Sequence, residues 1–100
     1  MSLVVVNATS KVSKREAYIN TRRLPSETLV KVTPVECLFL KKDSAFDCNN
    51  PGEYTPQELI DCCNSGVFKY KGDVSSEILE RLREGLLASP LVKKESKKLV

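Results

Sequence analysis

The chain contains no histidine. Without an imidazole there is no Ser-His or Cys-His nucleophile pair, no histidine metal ligand and no side chain that ordinarily titrates near neutral pH. Glu77, Glu80 and Glu84 stand close to Arg81 and Arg83, at a spacing that places them on a solvated helix surface rather than in an acid-base pair. Neither a phosphate-binding loop nor a dinucleotide glycine pattern occurs. These residue types assign no catalytic residue and no cofactor, and the expectation is a protein that is not an enzyme. The remaining reactive groups are Cys37, Cys48, Cys62 and Cys63. Zinc sites usually draw cysteines in pairs two to four residues apart, and none of these four is so spaced, so no metal ligand is assigned. Buried reduced thiols are expected. The alternative is a disulfide, for which Cys48 and Cys62 are the exposed candidates, since Cys63 shares a helical face with Leu59 and Ile60 and Cys62 is turned about 100° away.

Residues 47–58 run Asp-Cys-Asn-Asn-Pro-Gly-Glu-Tyr-Thr-Pro-Gln-Glu. This stretch resembles an EF-hand calcium loop, with Asp47 and Asn49 at the first and third positions, Gly52 at the sixth, Thr55 at the ninth and Glu58 at the twelfth. The resemblance covers barely a tenth of the chain and implies a calcium-dependent interaction module. Pro51 replaces the expected oxygen ligand at the fifth position. The alternative for the same residues is a turn followed by a helix cap completed by Glu58.

The net charge of +3 is unevenly spread. Residues 1–28 hold five bases and two acids, residues 90–100 four and one, leaving residues 29–89 at −3. Basic ends on an acidic body suggest contacts with an acidic protein surface or a nucleic-acid backbone. Lys11, Lys14, Arg15, Arg22 and Arg23 at one end, and Lys93, Lys94, Lys97 and Lys98 at the other, are the candidate partner-binding residues. The alternative is that these ends are lysine-rich only because they are solvated.

The clearest element is a helix over about 55–65. Thr55 is placed to cap it, Pro56 suits its first position, Glu58 can bond back to the Thr55 amide, and Gly66 can end it. A second helix spans about 74–89, where Val74, Ile78, Leu82 and Leu86 recur every four residues until Pro90. Together these helices are expected to form most of the core. Leu29 to Val32 alternates like a strand, and Val67 to Lys71 suggests another. Thr33-Pro34-Val35-Glu36 has the form of a capping box, yet 33–42 is apolar on both sides and is read as strand rather than helix. Between Asn7 and Glu27 no apolar period is sustained, so an extended segment is expected there, the alternative being a helical turn or two over Ser13 to Asn20 that needs a partner to hold it. The tail after Pro90 has too few apolar residues to pack alone. The similar stretches beginning at Gly52 and Gly72 reflect recurrent turn-and-cap chemistry as readily as duplication.

The expected fold is α+β in one small domain: an extended basic N-terminal arm at 1–28, a compact body at 29–89 and a basic tail at 90–100. Leu3 to Val6 is too short for a signal peptide and no run suits a membrane span. An intracellular (cytoplasmic) or virion protein without a membrane partner is expected, in which the sequon Asn7-Ala8-Thr9 carries no sugar. The expected function is structural: docking on neighbouring protein subunits in a homo-oligomer or a larger assembly, such as a capsid-associated or tail component of a virus particle. A small nucleic-acid-binding regulator is the alternative.

Overall fold

The computed structural model describes residues 2–69 and 71–100. Its centre is a three-stranded antiparallel sheet ordered β2 (Ala8–Thr9), β4 (Ser44–Asp47), β3 (Leu29–Val32). Val30 pairs with Phe46 and Lys31 with Ala45, a register that sorts side chains by the period of two. Val30, Val32 and Phe46 point to one face and pack with Ile78 and Leu86 of α3 (Ser76–Ala88). Leu29 and Ala45 point to the other and pack with Ile19 of α1 (Val12–Arg22). The sheet is thus covered on both faces by helices. A separate ribbon pairs β1 (Leu3–Val5) with β5 (Gly52–Tyr54) and brings Val4 and Val6 against the main core.

The α+β class is borne out, and so are both helices. In α2 (Pro56–Asn64) the Thr55 amide donates to Glu58 Oε1 at 3.0 Å and the Glu58 amide to Thr55 Oγ1 at 3.1 Å. The α3 helix is capped by Ser75, whose hydroxyl accepts from the Ile78 amide. Their shares of the core are unequal, however. The α3 helix buries Ile78, Gly85 and Leu86, whereas α2 buries no residue completely. Leu59 and Cys62 turn partly inward, and Phe68 meets Tyr54 edge-on at 5.7 Å.

The N-terminal segment is not an extended arm. It supplies two strands and an eleven-residue helix that buries Ile19. Val12, Tyr18 and Ile19 anchor α1 against this cluster, too sparse a signal to register as a period among so many polar neighbours. The C-terminal tail likewise folds back. Val92 is buried in the main core, Val100 packs against it, and Ser96 of the single turn α4 (Lys94–Lys97) donates to Glu53 of β5. The tail packs because it borrows the body's apolar surface.

Residues 33–40 form turns rather than the expected strand. The capping box closes, with Thr33 N donating to Glu36 Oε1 at 3.1 Å and Glu36 N to Thr33 Oγ1 at 3.3 Å. The Cys37 amide reaches Thr33 O at 3.0 Å, but the helix ends there. Val67–Lys69 is not a strand either, and Tyr70 lies outside the described residues. Among the described residues no helix is long and apolar enough to cross a membrane.

Candidate functional site

The N-terminal cations collect on one face of α1. Successive residues of a helix are about 100° apart, so Lys11, Lys14, Arg15, Tyr18 and Arg22 fall within an arc of about 100°, beside the face that buries Ile19. Tyr18 is the centre of this stripe. The Arg15 guanidinium carbon lies 5.6 Å from its ring centroid and that of Arg22 5.2 Å, both within cation-π range. Arg15 also meets Asp47 at 3.5 Å, which fixes its head against the sheet. Arg23 leaves the stripe. It sits past the helix end with φ of 55°, where the chain reverses into Leu24.

Adjoining hollows link this stripe to the other end of the chain. One is lined by Lys11, Lys14, Arg15 and Tyr18. A second adds Asp47, Asn49, Asn50 and Leu91 to Arg15 and Tyr18. A third shares Asn49, Asn50 and Leu91 and continues to Lys93. The two basic ends therefore meet around Asn50 and Leu91 in one surface that contains an exposed leucine and an aromatic ring. Lys94 and Lys98 are exposed and Lys97 half-buried on or beside α4, outside these hollows. Sequence reasoning picked out the cations but not Tyr18, Asn50 or Leu91, because only the fold brings residues 15, 50 and 91 together.

No family model, curated protein or solved structure matches the chain.

The four cysteines are free, and two of them sit opposite to expectation. Cys48 is completely buried beneath α3, with its Sγ 3.7 Å from Leu82 O, and Cys63 is exposed. Cys62 is half-buried and Cys37 buried. The reversal arises because α2 docks on Leu59 and Cys62, not on Ile60 and Cys63. Cys48 is thus no exposed disulfide partner for Cys62. Burial, reinforced by the neighbouring Asp47 carboxylate, raises the Cys48 thiol from 9.0 to about 11. Two outcomes follow. An aromatic disulfide reagent at pH 8 is expected to label Cys63 first and Cys48 only on unfolding, as followed by mass spectrometry of the labelled peptides. Because the folded pKa lies above the unfolded one, the Cys48 contribution to stability is intact below about pH 9 and is lost as pH rises toward 11. Urea midpoints for the wild type and Cys48→Ala measured from pH 8 to 11 are expected to converge across that window.

The residues of the EF-hand-like stretch are engaged elsewhere. Asp47 Oδ1 accepts from the Asn49 amide and from Asn49 Nδ2, both at 3.0 Å. Asn49 is buried, Gly52 begins a strand and Glu58 caps α2. Among the described residues no three cysteine or carboxylate side chains converge as metal ligands.

Proposed function

We propose that the protein is a non-enzymatic structural subunit that assembles with copies of itself, the basic surface of one copy docking on the outer face of α3 of the next. The observation that carries this reading is a pair of complementary surfaces on separate elements. On α3, Glu77, Glu80 and Glu84 fall within an arc of about 80°, with exposed Leu87 at its edge. No ion pair joins these three glutamates to a described residue; the nearby Arg81 is committed to Glu36 at 3.4 Å and Lys31 O at 2.8 Å. From Lys14 to Arg22 the helix rises about 12 Å and from Glu77 to Glu84 about 10 Å, so the charged rows match in length. Tyr18 and Leu91 on one side and Leu87 on the other supply apolar area inside a charged rim, the usual anatomy of a protein interface. Two different patches in contact make a heterologous interface, which closes into a ring or propagates as a filament. A shell or tail of a virus particle is one setting built from such contacts.

Light scattering behind a sizing column tests this reading. At low ionic strength, about 50 mM, the mass is expected to rise above 11.2 kDa with concentration, and at about 500 mM salt to fall back toward it as screening shortens the reach of the charges. A monomer at every concentration in low salt contradicts it. The arginines held over Tyr18 also suit a nucleic-acid backbone with an unstacked base, which favours the second reading. A monomer that binds a single-stranded oligonucleotide with steep salt dependence would assign the surface to that partner instead.

A further inference from the structure

The outer face of α3 can be laid along the basic surface in either direction, and the order of charges on the two faces selects one. Viewed down the helix, Arg83, Leu87, Glu80, Glu84 and Glu77 follow one another around about 120° of its surface. All five are exposed. Leu87 therefore stands between three glutamates on one side and an arginine on the other. Like the glutamates, Arg83 forms no ion pair with a described residue. Arg81, past Glu77, is already held by Glu36 and Lys31 O.

The hollows of the basic surface run in the opposite order. At one end Lys11, Lys14 and Arg15 line a hollow that contains no acid. In the middle Tyr18, Asn50 and Leu91 surround a space of about 380 Å³, where the one acid, Asp47, is tied to Arg15 at 3.5 Å. At the far end Glu53 and Lys93 line the last hollow, and neither forms an ion pair with a described residue. The three hollows together hold four bases and two acids. Asp47 offsets Arg15 and Glu53 offsets Lys93, so the surplus, Lys11 and Lys14, lies at one end.

We infer that Leu87 of one copy seats in the Tyr18–Leu91 hollow of the next, with its glutamates toward Lys11 and Lys14 and Arg83 over Glu53. Leu87 is then the anchor of the contact, and the Arg83–Glu53 pair sets its direction. This register rests on the self-association proposed above. Laid the opposite way, α3 brings its glutamates onto Glu53 and Arg83 onto Lys11 and Lys14, and such like-charge meetings oppose docking. Lys93 sharpens the choice, because without Glu53 it would face Arg83 alone.

Arg83 supplies the test, read by light scattering as the midpoint concentration for assembly at about 50 mM salt. Arg83→Glu makes α3 more acidic, so a contact governed by net charge would tighten. The expected result is the reverse, a midpoint raised about tenfold. Glu53→Lys makes the basic surface more basic and is likewise expected to weaken assembly, while both changes in one chain restore the wild-type midpoint to within about twofold. Leu87→Ala is expected to raise the midpoint by about tenfold or more. Arg83→Glu and Leu87→Ala lie on an exposed face and are expected to keep the wild-type thermal midpoint, so they decide the matter even if loss of the Ser96 bond destabilises Glu53→Lys. Assembly by Arg83→Glu as strong as the wild type or stronger, an unchanged midpoint for Leu87→Ala, or a folded double variant that is not rescued overturns this register and leaves the α1–α3 contact standing. A wild type that is monomeric at low salt overturns both.

Discussion

Gly85→Ala is expected to destabilise the fold by about 2–4 kcal/mol and to lower the thermal midpoint by roughly 10 °C or more. Helix propensity predicts the reverse, because alanine in a helix interior is ordinarily favoured over glycine by about 0.5–1 kcal/mol. Space decides the sign. A Cβ on Gly85 would lie 2.7 Å from the carbonyl oxygen of Glu27 and 2.8 Å from Cys48 Sγ. The first is backbone and the second a completely buried side chain, so neither can withdraw cheaply. Gly85 is where α3 rides directly over the 3-10 turn Ser26–Thr28 that leads into β3. A midpoint equal to or above that of the wild type would show that the helix does not approach so closely. Gly66→Ala is the control: nothing lies within 4 Å of its Cβ and only the positive φ opposes it, so a loss near 1 kcal/mol is expected.

The second large effect belongs to Asn49. Its Nδ2 donates to Thr28 Oγ1 at 2.9 Å, and its Oδ1 accepts from Ser89 Oγ at 2.6 Å. Thr28 and Ser89 are completely buried, and Ser89 Oγ in turn accepts from the Leu91 amide at 3.2 Å. One amide thus joins the start of β3, the end of α3 and the start of the tail. Asn49→Ala removes both bonds at once and leaves the buried Ser89 hydroxyl without its acceptor, while Thr28 Oγ1 keeps its bond to Pro25 O; a loss of about 2–3 kcal/mol is expected in urea unfolding. Asn49→Asp, nearly the same shape, is expected to cost at least as much at neutral pH, because it puts a carboxylate beside Asp47 and removes the donor. A loss below about 0.5 kcal/mol for Asn49→Ala would mean that water satisfies these groups instead.

Sequence alone captured what local chemistry dictates. The Thr55 box and the four-residue period of Ile78, Leu82 and Leu86 are written in neighbouring residues, and both helices formed. It failed where tertiary contacts choose between equal local options. On α2, Leu59 with Cys62 and Ile60 with Cys63 are alternative apolar faces of similar size. In the fold Leu59 and Cys62 turn partly inward, leaving Ile60 and Cys63 outside and no residue of the helix completely buried. The Thr33 box was legible, but its failure to propagate was not. Of the surface proposed for assembly, each cation was visible in the sequence while its company was not, since Asn50 and Leu91 approach Arg15 only through the sheet and the returning tail. Asn49 read as loop polarity and proved to be a buried joint.

The claim that copies join through opposite charges on α1 and α3 is tested most directly by exchanging those charges. Lys14→Glu with Arg22→Glu is expected to leave a monomer at low salt, and so is Glu80→Lys with Glu84→Lys. All four changes in one chain are expected to restore the assembly, because each reversed surface then meets its reversed counterpart. Light scattering at about 50 mM salt reads the three masses, and the folded state of each variant is checked by its thermal midpoint. Recovery of the wild-type mass in the fourfold variant is the predicted result. A fourfold variant that remains monomeric while folded, or paired variants that still assemble, would contradict it.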